Sequence, residues 1–183
     1  MGARVGGLLL VVGACGESSA LPPPTAENVV DTAVVYAITG TAIGTPSAFD
    51  LVLALPRRPE LQEDYDFVFD VDTAGRPVLL PARLTGLGGT AGFLRTSDAF
   101  DDIDRAPIED YVTDSVLVLE EDMTFLARSR STQTGCSYFY GAIPRYGKIE
   151  VIALDLVART VTLKHLVNLN CGYRSLTPGL PDS

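Results

Sequence analysis

From Asn28 onward the chain repeats its apolar residues at every second position, and a period of two is the signature of half-buried strands. The cleanest stretch is Tyr65 to Asp72. Tyr65, Phe67, Phe69 and Val71 fall on one face and Asp66, Asp70 and Asp72 on the other. The small residues Thr73-Ala74-Gly75 then lead into Pro77-Val78-Leu79-Leu80, which predicts a hairpin whose second strand starts at Pro77, where a missing N–H is tolerated. Val34, Tyr36 and Ile38 alternate in the same way. So do Phe49, Leu51, Leu53 and Leu55, a run that predicts one strand ended by Pro56. Later strands are expected over 115–119, 124–130, 137–142, 148–154 and 160–169, the last two joined across Asp155 to Arg159. No comparable helical period interrupts them. The pattern predicts an all-β chain: a single antiparallel β-sandwich or barrel of roughly nine strands with one long loop.

That loop is Arg83 to Thr113. It opens on Gly86, Gly88, Gly89 and Gly92 and carries Asp98, Asp101, Asp102 and Asp104. A structureless stretch of that length is unusual inside a domain, so it either hides a short helix near Ala99–Ile103 or is a functional loop. The glycine spacing resembles a dinucleotide loop, but no helical pattern follows to present its N-terminus to a pyrophosphate. Asp70 to Gly75 begins like a calcium loop and then fails, with Ala74 and Pro81 at positions that need an oxygen ligand and an acid. The Asp98, Asp101, Asp102 and Asp104 cluster is the better calcium candidate, against the plainer reading of a solvated acidic loop.

The start of the chain carries an address. Arg4 is followed by the apolar run Val5–Val12, which is far shorter than the ~20 residues a membrane-spanning helix needs. It ends on Val12-Gly13-Ala14-Cys15. This resembles a bacterial lipobox. The resemblance implies cleavage before Cys15 and a diacylglyceryl group on its thiol, hence a lipid anchor on the exported side of a membrane. With Gly16 in place of Asp after the Cys, the resemblance further implies the outer membrane where there are two. The expected organisation is therefore a signal peptide at 1–14, a lipidated Cys15 with a Pro-rich tether to residue 27, an all-β domain at 28–177 and a C-terminal tail at 178–183. Pro22-Pro23-Pro24 would stiffen the tether as polyproline II.

With Arg4 removed from 14 basic residues, the mature chain has a net charge of −10 against 23 acidic ones. Such a surface repels nucleic acid. Once Cys15 is lipidated, Cys136 and Cys171 remain, and an even pair in an exported chain predicts a disulfide. A metal-thiolate site lacks partners, because His165 is the single histidine.

His165 shares parity with Val161, Leu163, Val167 and Leu169, which predicts a core histidine with a satisfied hydrogen bond. No Gly-x-Ser-x-Gly accompanies it for a serine hydrolase. A glycosidase carboxylate pair is recognised by spatial separation rather than sequence. The chain has no Trp to form a sugar platform. Tyr138 and Tyr140 share a strand face opposite Phe139, either as an interaction surface or as packing beside the disulfide.

Tyr146 to Val151, followed by Val161-Thr162-Leu163, is similar to the closing hairpin of all-β haemophore-like lipoproteins. That family binds haem through paired His or Met side chains, which here leaves only His165 and Met123 as soft ligands. The wider mature domain looks more like envelope lipoproteins of unknown activity, a resemblance that implies none. The residues imply no cofactor. The expected function is a non-enzymatic, lipid-anchored envelope module with a protein partner; a haem-like ligand carrier and a secreted hydrolase are the alternatives.

Overall fold

The structure is a computed structural model that describes residues 21–136 and 141–181. Its strands are β1 (Val30–Tyr36), β2 (Ala48–Asp50), β3 (Leu55–Arg57), β4 (Phe67–Val71), β5 (Pro77–Pro81), β6 (Gly92–Arg95), β7 (Leu117–Val118), β8 (Thr124–Arg128), β9 (Tyr146–Asp155) and β10 (Thr160–Asn168). They form two antiparallel sheets, ordered β1-β10-β9-β8-β6 and β3-β2-β4-β5-β7. Neither sheet closes on itself, so the expected alternatives resolve to a sandwich and not a barrel.

Most period-two residues fill the space between the sheets, but along β1 and the two residues after it the faces are the reverse of those expected: Ala33, Val35 and Ala37 are buried, while Val34 and Ile38 are 42% and 43% exposed. Val35, Phe49, Phe67, Phe69, Phe125, Ile149, Val151 and Leu163 make one core, with Phe49 stacked on Phe67 at 5.3 Å between ring centroids. The β4–β5 hairpin closes as its residues suggest. Asp72 Oδ1 accepts the main-chain N–H groups of Ala74 and Arg76, and Gly75 takes the positive φ of 78° that the turn requires.

Two further strand expectations are corrected. The run from Phe49 to Leu55 is not one strand but a tight hairpin, β2 and β3, with Leu51 to Ala54 as its loop. The Asp50 carboxylate accepts Val52 N–H at 2.9 Å and bends the chain there. Ala54 completes the reversal at φ 55°. Pro56 then sits in β3, an outer strand with no partner beyond it, where a proline costs no ladder bond. The second correction concerns Tyr65 and Asp66, which lie just before β4 and break its alternation. Tyr65 packs with Ala48, Val68 and Ala82 on the opposite side from Phe67, and Asp66 is buried, not solvated.

The long loop is largely a lid over a second core. The outer face of the β1–β6 sheet offers Leu126, Tyr146 and Leu166, and Phe100, Ile103, Ala106, Tyr111 and Leu176 close over them. Phe100–Asp102 is a single 3₁₀ turn, at the position expected for a short helix. Lys148 and Lys164 stand over the Phe100 ring, 4.6 and 4.1 Å from its centroid. Lys148 also donates to Ile103 O at 2.9 Å. The loop further contains β6, for which its glycine-rich composition gives no signal. Gly92 opens this strand because a Cβ there would stand 2.7 Å from Val112 O, and Val112 exchanges two main-chain bonds with Phe93.

Both ends of the described chain are fastened to the sandwich. Asn170 Oδ1 accepts Thr25 N–H and Ala26 N–H, and Tyr173 O–H donates to Pro22 O at 2.9 Å. Residues 21–27 are therefore fastened to the sandwich and do not form a free spacer. At the other end Gly179 pairs with Asn28 through two main-chain bonds, and Pro181 is buried.

Candidate functional site

Cys136 and Cys171 form the expected disulfide, with 5.6 Å between their Cα atoms. Arg145 lies against it, buried, with Nη1 2.9 Å from Cys136 Sγ and Nη2 donating to Thr134 O at 3.0 Å. Among the described residues no carboxylate pairs with this guanidinium, and burial lowers its pKa. Cys15, Tyr138 and Tyr140 lie outside the described residues.

His165 is in β10, opposite Asp31 of β1, and is 3% exposed. Phe49 meets its ring edge-on at 5.0 Å. The expected satisfied hydrogen bond is missing: Nδ1 is buried without a partner. Burial depresses the imidazole pKa, and Asp31 offsets this in part. Beside the ring is a cleft of about 230 Å³ that also involves Glu27, Val29, Asp31, Leu53, Ala54, Val167 and Leu169.

Met123 belongs to a different cleft, of about 460 Å³, whose walls include Asp98, Glu120, Glu121, Asp122 and Glu150. The two soft ligands that the haemophore-like resemblance implies therefore face separate spaces. A cleft of 230 Å³ is also below the roughly 300–1,000 Å³ of drug-sized pockets, let alone a haem. The haem ligand pair is not assembled.

The acidic loop is divided in the same way. Asp98 lines the Met123 cleft, while Asp101 turns towards Lys164 at 3.8 Å. Asp104 offers its main-chain carbonyl to Leu176 N–H, and Asp102 is exposed. Among the described residues no three His, Cys, Asp or Glu side chains gather closely enough to hold one metal ion, so the calcium cluster does not form there.

A buried ion cluster is the polar feature that alternation did not reveal. Arg130 Nη1 bridges Asp50 Oδ1 at 3.2 Å and Asp66 Oδ2 at 3.0 Å, and Arg57 holds the other Asp50 oxygen. Asp66 also accepts Leu51 N–H and Arg130 N–H, each at 2.7 Å. Both carboxylates are fully buried. Burial raises the Asp66 pKa to about 6, against the pull of Arg130. For Arg130, burial works downward, but the Asp66 and Asp50 charges outweigh it and raise the pKa. The cluster ties the β2–β3 turn to the end of β8, across the two sheets. Its only trace in the sequence is an acid beside apolar residues at Asp50 and again at Asp66.

One more surface stands out. β6 ends one sheet and β7 ends the other, and between them lies an apolar groove of about 420 Å³ lined by Phe93, Leu94, Arg95, Val112, Ser115, Val116 and Leu117. Val112 and Val116 are 49% and 43% exposed. Arg95 reaches across to Val118 O at 3.0 Å and covers part of the open β7 edge.

The chain matches no protein-family model, and neither a curated protein nor a solved structure is significantly similar to it.

Proposed function

We infer that this chain is a lipid-anchored protein of the bacterial cell envelope whose sandwich acts as an interaction module for other envelope components. The observation that carries the reading is the short apolar run ending at Cys15 in a chain whose other two cysteines are joined in a disulfide. Disulfides persist on the exported side of membranes and are rare in reducing compartments. The sheet order adds support. Residues 21–29 lead into β1 at one edge of its sheet, and the apolar groove lies at β6, the other edge. A partner seated in the groove would leave the anchored side free.

The test is the mass of the N-terminal peptide from membrane-extracted protein. The reading expects a peptide that begins at Cys15 and carries a diacylglyceryl mass, and a Cys15→Ser chain without it. An unmodified thiol on Cys15 in membrane-derived protein would overturn the anchor.

A second reading, a carrier of a small ligand, is favoured by the unpartnered His165 beside its cleft. A hydrolase has less support. Asp50 and Asp66 are brought together by Arg130, but both are sealed from solvent and neither lines any of the clefts described above.

A further inference from the structure

We propose that the cleft beside His165 is a binding site for a small alkylammonium group, the charged head at its mouth and the alkyl chain against its wall. Four observations combine. The first is the imidazole itself. It is 3% exposed, edge-on to Phe49, with Nδ1 lacking any partner. Buried polar atoms without partners are uncommon, and a leucine would fill this position with no such deficit. The second is charge. Glu27 and Asp31 are exposed at the cleft, and among the described residues no cation pairs with either. The third is the wall, where Leu53, Val167 and Leu169 offer apolar surface to a short chain. The fourth is what the geometry rejects. Among the described residues no three metal-donating side chains converge, so the cation that suits two separated carboxylates is an organic one. A volume of about 230 Å³ limits it to a few carbons.

A neutral imidazole suits such a guest. Burial disfavours its protonated form, so the ring adds no charge to repel an ammonium. The proposal rests on the small-ligand reading of this same cleft, and it stands apart from the β6–β7 groove, so either one can fail without the other.

His165 is the only histidine, so one imidazole signal in a nuclear magnetic resonance spectrum reports the cleft. The experiment titrates the full chain, labelled at histidine, with n-pentylammonium, pentanol and pentanoate in turn. Pentylammonium should move the signal saturably, and pentanol should bind at least about tenfold more weakly, the equivalent of about 1.4 kcal/mol for the charge. The double change Glu27→Gln with Asp31→Asn should abolish that preference. Leu53→Trp, at a residue 44% exposed, should block the shift while leaving the fold intact. A second probe, Nα-acetyl-lysinamide, separates the sources of the ammonium group: equal binding points to a protein lysine, and failure beside bound pentylammonium points to a free amine. The proposal is overturned if pentylammonium gives no saturable shift, if pentanol or pentanoate binds as well, or if the shift survives Leu53→Trp.

Discussion

Replacing Asp66 tests the buried ion cluster, which joins the two sheets. In the native chain this carboxylate accepts Leu51 N–H, Arg130 N–H and Arg130 Nη1, and its side chain is wholly buried. Asp66→Ala leaves two main-chain N–H groups without an acceptor, at about 1–3 kcal/mol each. It also leaves Arg130 facing Asp50 alone. Removing one member of a buried ion pair costs about 3–5 kcal/mol, and that range is the expectation for Asp66→Ala. Asp66→Asn keeps the shape but offers one acceptor oxygen, so it should cost less, about 2 kcal/mol. The pH dependence runs opposite to that of an ordinary ion-paired carboxylate. The folded pKa is raised, from 3.8 to about 6, so the folded state holds this proton more tightly than the unfolded chain does. The contribution of the group to stability is therefore fully present below pH 3.8 and is lost as the pH rises through about 6. The span amounts to on the order of 3 kcal/mol. Urea unfolding across this range, for the native chain and Asp66→Asn, isolates the effect by difference, because other carboxylates titrate in both. The difference in stability between the two should change steadily through the window, Asp66→Asn lacking the decline. Parallel pH profiles, or a cost below about 1 kcal/mol for Asp66→Ala, would refute the reasoning.

Three further outcomes are expected. Reducing the Cys136–Cys171 bridge, which spans 35 residues, should cost up to about 4 kcal/mol, read as a fall in Tm with added thiol. Gly92→Ala should destabilise by about 1–3 kcal/mol, since its Cβ would meet Val112 O and the Thr113 methyl; amide exchange at Phe93 and Val112 should quicken most. Phe100→Ala should cost about 3–5 kcal/mol and speed amide exchange over 99–106, because the ring seats that lid between Lys148 and Lys164.

Alternation made the sandwich legible because Phe67, Phe69, Phe125 and Leu163 project into one shared core from strands whose other face is different. It misread the residues from Leu51 to Leu55 because a tight loop can carry apolar side chains inward as well as a strand can; Leu51 and Val52 are both buried within the turn. It passed over β6 because Gly92 contributes no side chain to a pattern, only the close approach of Val112. The acidic loop reads as solvated from its aspartates, yet it closes a core through Phe100, Ile103 and Ala106, spaced three apart around a single 3₁₀ turn rather than two apart as in a strand. Of the candidate site, the disulfide and the burial of His165 were legible. The separation of His165 from Met123 was not, because which cleft a side chain enters depends on loop packing and not on its own parity.

That the sandwich is an interaction module is the central claim, and site-specific photocrosslinking at the β6–β7 groove in intact envelopes tests it most directly. A photoreactive phenylalanine analogue would replace Val116, in the groove, and in a second chain Val157, which is 97% exposed in the β9–β10 turn. The account predicts one discrete, saturable protein adduct from position 116 and none from position 157. No adduct from position 116, or the same adducts from both positions, would contradict it.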